Sequence, residues 1–516
     1  MLHQGSAAVP AECSIAIVGG GLAGLELASA LAAHGVGDVL VLEAGEARET
    51  RHVNVARNPD AAARAWLQPE TDDAFRRPWT SENPPHYIGA AGLRQRLGGR
   101  SLYWYGVVLP IEPWALAAWP AEVRHDLAVS WRGGPSLYER AGSALQRWGG
   151  DSTSAATVQS VAGLDLRPTP EAIRRVPDDS GRWYAYSPLD LWRDPTRGGR
   201  LEGPDGCRIV TGVEVLEVVQ DDSGCRGVRF LDRASGVCGE VRAAEVVLSA
   251  GTLESSRLAV QALTARGALE QPRLSGLNDH LVQGFFARFG GATAAELLER
   301  IPPGNYFAAC GGRSNVYAET VVARSGEVIL DVRCSGEQLP SAECYVECDP
   351  VPGAMWPYRV HASLAAADRE VLAVQQQVLC RIWADLAPGG PAPRFGDFDA
   401  PKRTNEAVLP EFMAAAPTGT AMTWSSHLGS EDHEGGTLPL GGLLTARHEF
   451  AALPHLHATG PATFPRAGAA NPGLTVLALT HRLAALLAGA DPPAVYRDAR
   501  RGSPTDRNPS VEVGPA

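Results

Sequence analysis

The chain has 516 residues, 45% of them hydrophobic, and a formal net charge of −12 at pH 7, enough length for a large core divided over two domains. The acidic charge is spread out and no Lys/Arg-rich run occurs, which argues against a nucleic-acid or membrane partner. Nine scattered cysteines without a CxxC pair argue against a disulfide framework or a metal site, and the sequence has neither a secretory leader pattern nor an apolar run of spanning length, so a cytoplasmic protein is expected.

In chain order, Ser14–Val18 is short, apolar and branched, which predicts a buried parallel strand. Gly19, Gly20 and Gly21 follow, then a helix over Leu22–His34 and a second strand over Val39–Leu42 that ends at Glu43. Residues 44–96 read as irregular, and 110–200 as short helical stretches among Trp, Pro and Gly. Strands are predicted again at Arg208–Val210, Val213–Val219, Gly227–Leu231 and Glu245–Leu248, with a helix over Leu253–Leu263. Partial alternation at Gly284–Phe289, Val316–Val322, Val328–Cys334 and Glu343–Glu347 predicts an antiparallel sheet with one face covered. Amphipathic periodicity marks Ala366–Leu386 as a helix, Asn471–Ala488 is the last helix, and the polar tail 496–516 is expected to be disordered.

The pattern Gly19-x-Gly21-x-x-Gly24 sits between a strand and a helix. Its first glycine permits the tight turn, its second lets a pyrophosphate approach the backbone, and its third lets helix and strand pack closely. The helix N-terminus then offers free N–H groups to phosphates. Glu43, nineteen residues after Gly24, can accept hydrogen bonds from ribose hydroxyls. This unit predicts dinucleotide binding and leaves NAD and FAD equally open.

Four further blocks resemble the glucose–methanol–choline family of FAD-dependent oxidoreductases. Leu97–Gly106 (LGGRSLYWYG) is similar to the family's GG-[ST]-S loop, with Arg100 at the Ser/Thr position. Ala244–Arg257 (AEVVLSAGTLESSR), Gly276–His280 (GLNDH) and the block from Ala458 through FPRAGAANPGLTVLALTHRLA resemble its later strand–turn–helix, N-x-x-DH and closing-helix segments. The resemblance implies FAD as cofactor, touched by Gly98, Gly99, Ser101, Val213, Gly251, Gly460, Pro472 and Leu474 in addition to the first glycines and Glu43. Some members of the family attach FAD through a His four residues after the second Gly of the GG loop; that position is Tyr103, which implies non-covalent FAD. His433-Glu434-Gly435-Gly436-Thr437 matches the family's H-x-x-G-T segment, with Leu440 where Met is usual. The resemblance therefore makes His433 the general base, with His427 as competitor, and Asn471 its partner on the substrate hydroxyl. A histidine suits such a proton transfer because its pKa lies near working pH.

The expected fold is α/β: a Rossmann-like FAD-binding domain assembled from 12–110, 200–285 and 430–495, and a substrate domain of antiparallel sheet and helices from 111–199 and 286–429. The expected reaction is oxidation of a small-molecule alcohol by His-assisted hydride transfer to flavin N5, with O2 or another electron acceptor. Oxidative cyclisation, desaturation or lyase chemistry on the same scaffold is the alternative. A flavin monooxygenase fits less well because no second GxGxxG is present, and an inactive FAD-binding protein because His433 and Asn471 are both retained. His280 reads as structural or near the cofactor, and Trp104 and Tyr105 as flavin or substrate contacts or plain core. Tyr306, Phe307, Tyr345, Trp356 and Trp424 are candidate pocket liners.

Overall fold

A computed structural model describes residues 2–149, 160–177, 181–194, 200–396, 398 and 404–489; the tail expected at 496–516 lies outside them. The first unit is β1 (Glu12–Val18), α1 (Leu22–Ala33) and β2 (Val39–Glu43). Every residue of β2 is buried, as its unbroken VLVLE run requires. The same sheet takes β3 (Cys207–Thr211), β4 (Val213–Asp221), β5 (Gly224–Asp232) and β6 (Cys238–Leu248), followed by α2 (Thr252–Ala265). From one edge its order is Leu2–Gln4, β3, β2, β1, β6, β5, β4. β6 changes partner along one edge, from β5 to a third strand late in the chain. Residues Cys238–Arg242 pair antiparallel with β5, and Arg242–Leu248 run parallel to β1.

The second sheet is antiparallel throughout. It contains β7 (His280–Phe289), β8 (Gly304–Gly311), β9 (Ser314–Val322) and β10 (Val328–Glu337). Helix α3 (Ala366–Leu386) buries Val371, Leu372, Gln375, Val378, Leu379, Ile382 and Trp383, an i, i+3, i+4 stripe that packs on β7 and β10. Helix α4 (Asn405–Ala415) and strand β11 (Ala421–Ser425) complete this half, β11 pairing with β7. Alternation along β10 sends Val328, Leu330, Val332 and Cys334 into the core under α3, and so turns Asp331, Arg333 and Ser335 to the opposite face. On that face Tyr317 stands opposite Arg333, and Val282 opposite Ser335.

Strand β12 (Leu456–Ala458) returns the chain to the first sheet beside β6, and α5 (Gly473–Leu487) packs against α1. Both helices are apolar nearly all round, with residues as small as Ala and Gly at the contact, because sheet and helices enclose them. The expected α/β class is the one observed. Three details differ. Helices form at Val53–Ala56 and Pro59–Leu67 within the stretch read as irregular. The strand expected at Glu343–Glu347 is Tyr345–Cys348, and it joins a separate sheet with Arg273–Ser275, Tyr358–His361 and Trp79–Ser81; a turn at Ser341, whose carbonyl accepts from Cys344 N and Gly276 N, carries the chain away from β10. Helix α5 begins at Gly473, two residues after Asn471, and Asn471 does not cap it. Among the described residues no helix is long and apolar enough to cross a membrane.

Candidate active site

The first glycine turn is built as its spacing requires. Gly19 has φ +105°, and a Cβ there would meet Ala250 Cα and Ser249 O at 2.7 Å. A Cβ on Gly24 would fall 2.0 Å from Gly19 O, which is the close helix–turn approach that only glycine allows. A Cβ on Gly21 would meet nothing within 4 Å, because Gly21 faces an open cleft. Glu43 closes the turn from the second strand and accepts from Gly20 N at 2.8 Å and Gly45 N at 2.7 Å. Burial pushes its carboxyl up to about 7, against the pull of those two N–H groups.

The cleft has a volume of about 490 Å³ and runs between the two sheets. Gly19, Gly21, Glu43, Gly99, Ser101, Val213, Gly251, Gly460, Asn471, Pro472 and His433 all line it. Gly24, Gly98 and Leu474 do not: Gly24 and Gly98 are packed behind the wall, and Leu474 lies in the core. Three helices point their N-termini into this one space: α1 from Gly21, α2 from Gly251 and α5 from Pro472, and none of the three carries a side-chain cap. Unfilled N–H donors and the positive ends of three helix dipoles make it a place for negative charge.

At the far end of the cleft His433 Nε2 lies 3.4 Å from Asn471 Nδ2, and Tyr317 OH donates to Asn471 Oδ1 at 3.0 Å. The amide that could have capped α5 is thus turned to the histidine. His433 Nδ1 lies 3.0 Å from Nδ1 of His280, and Ser335 Oγ is 3.1 Å from that same His280 nitrogen. The backbone produces this pairing. Asn278 and Gly435 exchange two hydrogen bonds, Asn278 N to Gly435 O at 3.1 Å and Gly435 N to Asn278 O at 2.9 Å. Two residues forward from Asn278 and two back from Gly435 bring His280 and His433 opposite each other. His433 is pushed well below its ordinary value of 6.5, by burial first and then by His280 and Arg100; burial lowers His280 to about 4.

Arg100 was legible only as a departure from a motif, yet it holds this loop. Its Nη2 pairs with Glu434 at 2.7 Å and with Asp432 Oδ1 at 3.1 Å, and its Nη1 donates to the Asp432 carbonyl at 3.2 Å. It therefore anchors the residues on both sides of His433. Asp432 has φ +59°, a left-handed conformation that Asp tolerates better than most side chains. His427 does not line the cleft; its ring lies edge-on to His86 at 6.2 Å. His455 and His457 both reach Glu245, at 3.2 and 2.8 Å.

The five aromatic residues considered as liners are elsewhere. Tyr306 and Trp424 are core, Tyr345 stacks on His361, and neither Phe307 nor Trp356 reaches the cleft. The cleft is lined further by Trp66, Trp104, Tyr105, Val282, Tyr317, Arg333, Glu406 and Glu431. Trp104 packs so closely on the start of α5 that a Cβ on Gly473 would meet its ring at 2.3 Å. Tyr103 OH donates to Asp72 Oδ2 at 2.5 Å and accepts from Arg96 Nη1 at 2.9 Å.

No family model matches the sequence, and no curated protein matches it either. Among solved structures the chain is similar to pyridoxine 4-oxidase from Mesorbium loti, with 19% identity over 92% of this chain and 98% of that one and a TM-score of 0.58. That likeness shows the fold, and it is the fold implied by the resemblance of the sequence blocks to the glucose–methanol–choline oxidoreductases.

Proposed function

We propose that the chain binds FAD non-covalently and oxidises a small-molecule alcohol, with His433 as general base and Asn471 holding the substrate hydroxyl. The observation that carries this reading is the continuity of one cleft from the uncapped helix ends at Gly21 and Gly251 to the paired His433 and Asn471. Those helix ends fit a pyrophosphate, and Gly21 leaves its backbone approachable. Glu43 fits an adenosine ribose, and the end of α5 at Pro472 fits a ring that gains negative charge. Gly99, Ser101, Val213, Gly251 and Gly460 would form the wall against the cofactor, while Gly24, Gly98 and Leu474 would hold that wall in place. In this reading 12–110, 200–285 and 430–495 form the cofactor domain, and 111–199 and 286–429 the substrate domain.

FAD bound in the cleft supplies a two-electron hydride acceptor. The protein's own part is proton transfer and placement. Neutral His433 takes the hydroxyl proton at Nε2, and its low proton affinity keeps it ready to do so at neutral pH. The Asn471 amide orients the hydroxyl without competing for the proton. Arg100 keeps the His433 loop fixed through Asp432 and Glu434. The similar structure is by name a pyridoxine 4-oxidase, which agrees with an oxidase reading. The test is anaerobic mixing of the purified flavoprotein with a panel of alcohols while the oxidised-flavin band is followed. Bleaching by an alcohol, lost in His433→Ala, is expected. A protein that takes up no FAD, or a bound flavin that no alcohol reduces, overturns the reading.

A further inference from the structure

We infer that His280 is a positioning residue that fixes the tautomer of His433, so that the nitrogen facing the cleft is the bare one. This rests on the reading of His433 as base. His280 is buried, and at neutral pH it carries a single ring proton. Its Nδ1 is occupied by His433 and Ser335. Tyr317 OH donates to Asn471 Oδ1 and so turns the Nδ2 donor of that amide to His433 Nε2. A donor there needs a bare Nε2, so the His433 proton sits on Nδ1, and His280 Nδ1, with its own proton on Nε2, is the acceptor.

A hydrogen bond between two Nδ1 atoms 3.0 Å apart needs one proton. His280 has none to give at that position, so His433 donates from Nδ1. A neutral His433 that carries its proton on Nδ1 has a bare Nε2, and Nε2 is the atom beside Asn471 Nδ2, itself a donor. When Nε2 takes the proton of a substrate hydroxyl, Nδ1–H stays in place, and the charged ring still has His280 as its acceptor. The pairing is built into the backbone by the Asn278–Gly435 bridge, and Ser335 Oγ on β10 lies 3.1 Å from the same His280 nitrogen. Free histidine prefers the opposite tautomer, with the proton on Nε2, which cannot accept the hydroxyl proton. Without His280, the base would lie in its non-competent form for most of the time.

Arg100 and Asn471 face His433; Ser335, the Gly468 carbonyl and Asp279 surround His280.

The experiment is nitrogen NMR on full-length, FAD-loaded protein labelled with 15N-histidine. The His433 ring signals are assigned by their loss in His433→Ala. In the wild type at neutral pH, His433 should show a protonated Nδ1 and a bare Nε2. In His280→Ala the signals should move toward protonated Nε2, and flavin reduction by an alcohol should slow by about 10–100-fold, a part of what general-base catalysis supplies. His280→Asn places a carbonyl oxygen near the lost Nδ1 and should restore both the tautomer and most of the rate. A wild-type His433 with its proton on Nε2, or a His433 tautomer unchanged in His280→Ala, overturns the inference. The NMR arm needs no substrate and no turnover. If alcohol oxidation fails as a reading, the tautomer result still decides this one, and an intact reading with an unmoved tautomer removes His280 alone.

Discussion

Arg100 forms a 2.7 Å ion pair with Glu434, a carboxylate only 2% exposed, and so ties the loop at Gly99 to the loop that carries His433. Breaking a buried pair from one side leaves an uncompensated charge, which costs about 3–5 kcal/mol. Arg100→Ser, which restores the residue type usual in the resembling loop, should lower the stability by that amount in denaturant unfolding. It should also slow flavin reduction, because the base loses its anchor on both sides. Arg100→Lys lacks the fork that reaches Asp432 and Glu434 together and should recover only part. Arg51→Ser, at an exposed pair with Glu49, should change stability by less than about 1 kcal/mol and serves as the control. Equal losses at Arg100 and Arg51 would show that the buried anchor is not special.

The assignment of the base separates cleanly by mutation. His433→Ala should retain FAD and lose about 10²–10⁴ in the rate of flavin reduction, the range that a positioned base contributes. His427→Ala, outside the cleft, should stay within a few-fold of wild type by the same stopped-flow measurement. The reverse order of effects would transfer the role. Asn471→Ala should weaken substrate binding and slow reduction without shifting helix content, since Asn471 does not cap α5.

How much of this was legible before the structure follows from where the forces act. The β1–α1–β2 unit and Glu43 were readable because local sequence determines them: an apolar run, a turn that needs glycine, and a helix. The helix over Ala366–Leu386 was read to the residue because one side of it is buried at regular intervals. The helix at Pro59–Leu67 was missed although its signal was present, with Asn58 accepting from Ala61 N at 2.9 Å and Pro59 in the first turn. The partners of His433 were not readable. His280 lies 153 positions away and Arg100 lies 332 positions from Asp432, and only the fold brings them together. The aromatic liners were misplaced for the same reason, since the packing of Tyr306 into the core under α3 and of Trp424 against Phe286 and Phe412 is set by contacts distant in sequence.

The proton affinity of the buried histidines gives a pH profile with a definite sign. Burial, then His280 and Arg100, hold His433 well below 6.5. kcat/KM should therefore stay flat as pH falls through 6.5, and its acid limb should appear only lower. An acid limb at or above 6.5 would contradict the geometry. Stability should follow a related course. His52 and His280 fall to about 4 and His448 to about 3, each chiefly through burial, while the unfolded chain titrates near 6.5. Between those values the unfolded state binds more protons at these three histidines, so their contribution to stability is lost as pH falls from about 6.5 toward about 4. Glu43, whose carboxyl burial raises to about 7, acts with the opposite sign. His448→Gln should therefore lose less stability over that window than the wild type. Urea unfolding across that window checks it.

Tyr103 predicts how the flavin is held. Its hydroxyl is engaged by Asp72 and Arg96, and it offers no ring nitrogen for a bond to the isoalloxazine. Acid precipitation of the flavoprotein should leave all the flavin in the supernatant. Yellow colour remaining on the washed polypeptide would refute the non-covalent assignment.

Gly21 and Gly24 belong to one motif but should fail in different ways. A Cβ on Gly24 strikes Gly19 O at 2.0 Å and Ser249 Oγ at 2.7 Å, so Gly24→Ala must push α1 off the turn. Overpacking of this kind costs about 1–3 kcal/mol, and the loss should show in the apo-protein as well as in the loaded one. A Cβ on Gly21 meets no protein atom within 4 Å, so Gly21→Ala should leave apo-protein stability nearly unchanged. The methyl group would instead stand in the cleft, where the backbone must come close to a pyrophosphate. Gly21→Ala should therefore weaken FAD binding by tenfold or more, about 1.4 kcal/mol or above, measured by flavin fluorescence on titrating the apo-protein. Full-affinity FAD binding in Gly21→Ala would mean that the pyrophosphate does not lie over this turn, and the cofactor would have to be placed elsewhere in the cleft.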